Sequence, residues 1–419
     1  MTTSSFRRLL SVNAVSSIVG AAIQAATAPI FLFVLSIGQF ASILLAQTVA
    51  TYVVFLLNGF YYYMMNSITH DYFNNRFDQA RQMYTLGYCS ILALFAVAGV
   101  GACLSWLLFD GDRVRLVMIW VAVLGAIVNL NYILVDANFR AQDRYSVGTS
   151  ILTTARAIDF LIISFVVVTT RDPLIALVSS LAGRLLTLAA LKQLAELGQG
   201  AVLLSRPMLT KQEVGHHLVS AGGQLGLSAF TALSIMGPQL VLSAWFPDHL
   251  AVTFNVHRTY MRVTTTLVNV VAASSWPVLN RLYASGETSS LRRFLVRLSA
   301  QTLALGLLLF VILFFAAPIL FPVLFHRKVI VNDYYLVLIG LACIFSGATT
   351  MAQTVYLATN LRSSYVLLAL GLTLAELSVF VITGLSVSFV VSLLIYAVFE
   401  LIIMIVAMFG SLHTLQKVR

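Results

Sequence analysis

Two arginines stand four residues apart in FNVHRTYMRVTTTLVNVVAASSWPVL, residues 254–279, a stretch that otherwise reads as one long apolar helix. Arg258, Arg262, Thr265 and Asn269 fall at i, i+4, i+7 and i+11, which sets them along one helical face for about three turns. A guanidinium stays charged in any surroundings and offers a planar fork of donors, so this face suits a negatively charged partner. The competing reading is structural. Glu376 and Glu400 lie in other apolar stretches and could neutralise the two arginines.

Other polar residues sit within apolar runs. Arg184 is a third cationic candidate, and Arg156 stands three residues before Asp159, a spacing at which the two could neutralise each other on one helix. Asn13, Ser17, Gly20, Gln24 and Thr27 share one face early in the chain, as do Ser220, Gln224, Ser228 and Thr231 later, and Ser346, Thr349 and Gln353 later still. Such small polar stripes serve either close helix packing or hydrogen bonding to a ligand. Arg258, Arg262, Arg184, Asn269, Gln24, Asn13 and Gln224 are therefore the candidate binding residues. Glu376, Glu400 and Asp159 are the candidates for carboxyl groups that take up and release a proton within apolar runs. Cys89, Cys103 and Cys343 fall within apolar runs, and no paired spacing marks a metal site or a disulfide framework. His70 beside Asp71 reads as a solvated loop pair, and His216 with His217 lacks a third ligand. Neither a cofactor nor a metal is expected.

The elements that position these residues follow from composition. With 60% hydrophobic and 10% charged residues and a mean hydropathy of +0.94, the 419-residue chain is too apolar for a soluble protein. A bilayer core of about 30 Å takes about 20 apolar residues per helical crossing. Twelve such segments are expected, at about 9–35, 37–66, 84–108, 114–137, 148–169, 174–196, 214–243, 248–278, 298–325, 333–359, 364–385 and 387–410. Arg7 and Arg8 ahead of an apolar run ending in AATA raise the alternative of a cleaved signal, but that run is long and carries Asn13 and Gln24.

Lys and Arg near span ends are retained in the cytoplasm. With the N-terminus inside, sixteen fall on the cytoplasmic side and five outside, so both termini are expected to be cytoplasmic. The net charge of +10 then belongs mainly to the cytoplasmic face and is no sign of nucleic-acid binding.

The break ELGQGAVLLSRPMLTKQEVGHH, residues 196–217, divides the spans six and six, giving an expected N-terminal lobe at 1–200 and a C-terminal lobe at 201–419. Pro29 in the first span and Pro238 in the seventh lie at matching depths, and basic stretches follow the second and eighth spans alike. Two six-helix repeats entering from the same side would be related by an axis along the membrane normal, an arrangement found in many transporters.

The stretch AVTFNVHRTYMRVTTTLVNVVAASSWPVLNRLYASGE, residues 251–287, resembles the eighth helix of bacterial polysaccharide flippases of the O-antigen type. These belong to the multidrug, oligosaccharidyl-lipid and polysaccharide exporter superfamily. Arg258, Thr259, Pro277, Arg281, Gly286 and Glu287 carry the likeness, and Val278 departs from it where an acidic residue often follows the proline. The resemblance implies an all-α membrane protein of two six-helix lobes around a central cavity, working by alternating access as a monomer in the bacterial inner membrane. It also implies a substrate, an oligosaccharide linked to undecaprenyl diphosphate, moved to the periplasmic leaflet for surface polysaccharide such as the O-antigen of lipopolysaccharide. Glycosyltransferases and a polysaccharide polymerase are the partners it implies.

Two rival readings remain. A cation-coupled drug exporter of the same superfamily wants cavity carboxylates, yet no Asp or Glu precedes Asp71, so the first two spans have none. A membrane polymerase, ligase or acyltransferase needs room for catalysis, yet the longest outer loop, near HRKVIVND, holds no nucleophile beside an acid and a base.

Overall fold

In the computed structural model the chain is all α-helix, and residues 3–108, 111–142, 144–196, 211–284, 287–326, 328–359 and 365–416 are described. Of some of these, Asn13 and Asn269 among them, only the backbone is described. Among the described residues, eleven helices are long and apolar enough to cross a membrane, which makes this a multi-pass membrane protein. Residues 197–210, most of the expected break, lie outside the described residues.

The first six helices are α1 (Thr3–Val34), α2 (Ile37–Phe73), α3 (Phe77–Leu108), α4 (Arg113–Ala141), α5 (Tyr145–Thr170) and α6 (Pro173–Glu196). The rest are α7 (Lys211–Trp245), α8 (Asp248–Met261), α9 (Val263–Ala284), α10 (Thr288–Leu324), α11 (Asp333–Thr359), α12 (Tyr365–Ser386) and α13 (Phe389–Gln416). The expected eighth span is thus two helices, α8 and α9, interrupted at Arg262. The side chains of Thr265 and Thr266 both donate to the Arg262 carbonyl, and that of Thr264 to the Met261 carbonyl. Hydroxyls that bond back into their own helix compete with its ladder and bend it.

Packing divides the chain into two compact units: Met1–Val12 with Val34–Ala232, and Asn13–Phe33 with Leu233–Arg419. The division differs from a cut near residue 200. Most of α1 groups with the second half, where Phe33 lies against His326 at 4.8 Å between ring centroids, and residues 211–232 group with the first.

Within each unit the same helix pairs pack. In the first, α4 lies along α2, α3 and α6, with α5 on α6 and α2 on α3. In the second, α11 lies along α8 and α9, α10 and α13, with α12 on α13 and α9 on α10. Counting α8 with α9 as one span, these are the same pairings six spans apart, which is the internal repeat that the two prolines hinted at. Pro29 and Pro238 do sit inside α1 and α7. Burial follows the pairing: the most apolar windows of α4 and α11 are 50% and 61% buried, against 11% for both α3 and α10. Aromatic and methionine side chains fill the first unit's core, with Tyr61, Met64 and Ile68 of α2 against Met83 and Tyr84 of α3 and Leu130 and Leu134 of α4.

Without a hydrophobic force between helices in lipid, close backbone approach at small residues holds such bundles together. The tightest approach in the first unit is Gly59 of α2 on α7, where a Cβ would stand 2.3 Å from the Gln224 carbonyl oxygen and 2.7 Å from the Ser228 hydroxyl. Gly59→Ala should therefore push α2 and α7 apart and cost about 1–3 kcal/mol, the usual penalty of overpacking. Gly99→Ala, whose Cβ would meet nothing within 4 Å, should be neutral. Thermal melting in detergent checks the pair, and equal melting temperatures would refute the close approach.

Candidate functional site

In the second unit the arginine face of the sequence becomes a cationic pair, Arg258 buried and Arg262 half-buried. Arg258 on α8 is only 6% exposed. It donates through Nη2 to the Ile235 carbonyl of α7, and its guanidinium lies 5.8 Å from the Phe254 ring centroid. Pro238 explains why that carbonyl region can accept: a proline removes one ladder hydrogen bond and distorts the preceding turn, which contains Ser234 and Ile235. Arg262 sits at the α8–α9 break and lines, with Arg258, Thr265, Ser346, Thr350 and Tyr396, a cavity of about 40 Å³. That is room for about one water at roughly 30 Å³.

The two acids that could have neutralised the arginines are close in the fold but not bonded to them. Among the described residues, neither Arg258 nor Arg262 forms an ion pair within 4.0 Å. Glu400 of α13 is fully buried and accepts from the Ser234 hydroxyl at 2.9 Å. Glu376 of α12 is fully buried too, and neither of its carboxyl oxygens has a hydrogen-bond partner among the described residues. His257, one residue before Arg258, is structural: Nδ1 donates to the Thr253 carbonyl at 2.8 Å, leaving Nε2 to accept from the Asn332 amide at 3.3 Å. Both ring nitrogens are then committed. Among the described residues no cluster of ligands could hold a metal.

The first unit handles its arginine in the opposite way. Arg184 of α6 forms an ion pair with Asp159 of α5, with Nε at 2.9 Å and Nη2 at 2.8 Å from one carboxylate oxygen, while the Ser180 hydroxyl donates to the other at 2.6 Å. Tyr132 of α4 donates to the Arg184 carbonyl at 3.1 Å. This corrects the expected pairing of Asp159 with Arg156: the acid is taken by Arg184 of the adjacent helix, and Arg156 is exposed. A partner on α6 can approach the carboxylate side by side, whereas residues three apart on one helix must both bend toward the helix surface.

The remaining candidates are scattered. Gln24 is exposed, Gln224 is half-buried where α7 meets Gly59, and the side chains of Asn13 and Asn269 lie outside the described residues, as do those of His216 and His217. His70 and Asp71, expected in a loop, lie in the last turn of α2 and stand 3.6 Å apart, the histidine side chain 70% exposed and the aspartate 17%. Sequence reading missed a second cavity in the first unit, of about 240 Å³, lined by Gln47, Thr51, Asn129, Ser180 and Arg184. Its signal was available: Gln47 and Asn129 are amides inside apolar spans.

No family model matches the sequence, and no curated protein resembles it significantly in sequence. Solved structures resemble it throughout its length. An inward-facing multidrug resistance MATE family transporter of the MOP superfamily superposes with a TM-score of 0.73 at 10% identity, covering 99% of this chain and 98% of its own. A variant of the Vibrio cholerae MATE transporter VcmN gives 0.71 at 13% identity over 99% and 97%. A MATE transporter in complex with MaD3S gives 0.73 at 11% over 100% and 99%. The chain has the fold of MATE transporters. The side-chain chemistry inside that fold is its own, and the ion pair of the first unit gives a direct check. Asp159→Asn should lower the melting temperature by leaving Arg184 unpaired, and adding Arg184→Gln should recover most of the loss. Additive losses in this double-mutant cycle would show that the pair is not coupled.

Proposed function

We propose that this protein is a flippase that moves an oligosaccharide linked to undecaprenyl diphosphate from the cytoplasmic to the periplasmic leaflet of the bacterial inner membrane, with both termini in the cytoplasm. One observation carries the reading: the second unit holds a buried Arg258 and a half-buried Arg262, neither with a bonded carboxylate among the described residues, although Glu376 and Glu400 are buried within the same unit. An uncompensated cation deep in a membrane protein is costly, and such residues mark substrate or ion pathways. A diphosphate supplies the missing negative charge and accepts from the guanidinium fork. The cavity beside the arginines holds about one water as it stands, so this reading requires it to widen during the cycle. Glu376 and Glu400 are the groups we assign to coupling. Asp159 is engaged by Arg184 and fits a structural role better. On this reading glycosyltransferases supply the substrate and a polymerase consumes it.

A drug exporter is the second reading, and Glu376 favours it: a fully buried carboxyl without a hydrogen-bond partner would suit an organic cation. Arginine variants discriminate the two. A charged hydrogen bond contributes about 1.5–3 kcal/mol, so Arg258→Gln or Arg262→Gln should each lower flipping roughly 10- to 150-fold, and both together should nearly abolish it. Arg262→Lys should keep partial activity, because it retains the charge and loses the fork. If the arginines serve only to balance Glu376 or Glu400, replacing an arginine together with its acid should restore function. Surface polysaccharide in a complementation assay, with membrane protein levels matched, reads the result: full activity of the double Gln variant would end the substrate-binding role of the arginines, and a wild type that does not complement would rule out the flippase reading.

A further inference from the structure

We propose that the cavity between α2, α4 and α6 in the first unit binds one uncharged sugar ring of the lipid-linked substrate. The inference rests on the flippase reading and adds a second subsite to it. The cavity measures about 240 Å³. That is room for about eight waters at roughly 30 Å³ each, and below the roughly 300–1,000 Å³ of pockets for drug-sized ligands.

Its charge is already settled. Arg184 turns Nε and Nη2 to Asp159, so the guanidinium brings no net charge, and only Nη1 remains, beside Gly125, where a Cβ would stand 3.2 Å from it. The hydroxyls of Ser180 and Thr51 donate to the Asp159 carboxylate and the Gln47 carbonyl, which leaves both oxygens free to accept from a ligand. Among the described residues, the side-chain amides of Gln47 and Asn129 have no protein hydrogen-bond partner, and each both donates and accepts. The rest of the lining is apolar, from Gly125 and Ala126 to Leu177 and Leu181.

The donor and acceptor pattern selects the ligand class. A phosphate only accepts, and would meet two hydroxyl oxygens oriented as acceptors and a guanidinium already neutralised. An organic cation would find its carboxylate taken. A flat aromatic drug would find no ring to stack on among the lining residues. A polyol ring donates and accepts in equal measure, and each of its hydroxyls can meet an amide, a hydroxyl oxygen or Nη1.

The test uses the full-length chain in lipid nanodiscs and two probes, undecaprenyl diphosphate and the same carrier bearing N-acetylglucosamine. Wild type should bind the sugar-bearing carrier more tightly. Gln47→Ala and Asn129→Ala should each reduce that preference about three- to tenfold, the value of a neutral hydrogen bond, without changing affinity for the bare carrier. If wild type binds both carriers equally, or the variants keep the preference, the sugar subsite is wrong while the flippase reading stands. If wild type binds neither carrier, the flippase reading fails and the subsite with it.

Discussion

A guanidinium does not lose its charge in hydrocarbon, and placing one at the centre of a spanning helix costs about 2.5–3.5 kcal/mol on insertion scales. Arg258 and Arg262 fall within the expected eighth span, and the local structure around them fits that constraint. The helix that carries them stops and restarts at Arg262, where three successive threonines bond back into the chain. Pro238 loosens the turn of α7 that offers Arg258 a carbonyl, and the adjacent Ser234 hydroxyl satisfies one oxygen of Glu400. Polar satisfaction is thus local and partial. The backbone and a hydroxyl are used, and the direct pairing of arginine with glutamate is not.

The first unit shows what a charge-paired arginine looks like in the same fold. Arg184 and Asp159 meet across α5 and α6, Ser180 takes the second carboxylate oxygen, and Tyr132 holds the backbone beside them. The two units share one pattern of helix pairing yet differ in electrostatics, one with neutralised charge and the other with bare cationic groups.

Much of the fold was legible in the sequence because membrane crossings depend on length and composition, which periodicity reveals directly. The break in the eighth span was less so, since Arg262 lies in a run free of proline and glycine, and the hydroxyl back-bonding of Thr264, Thr265 and Thr266 shows only in coordinates. The arginine face of α8 was readable from spacing. The partner of Asp159 was not: residues 159 and 184 are 25 apart, and only helix crossing decides which guanidinium a carboxylate meets. The exchange of residues 13–33 and 211–232 between the compact units likewise depends on long-range packing at Phe33 and Gly59 that no local pattern encodes.

The central claim is that the bare arginines of the second unit exist for a diphosphate. Mass spectrometry of lipids that remain with the protein after gentle detergent purification tests it most directly. The account predicts undecaprenyl diphosphate carrying sugar, retained by wild type and depleted when Arg258 and Arg262 are both replaced by glutamine. Purification with bulk phospholipid alone, or with equal carrier in wild type and the double variant, would contradict it.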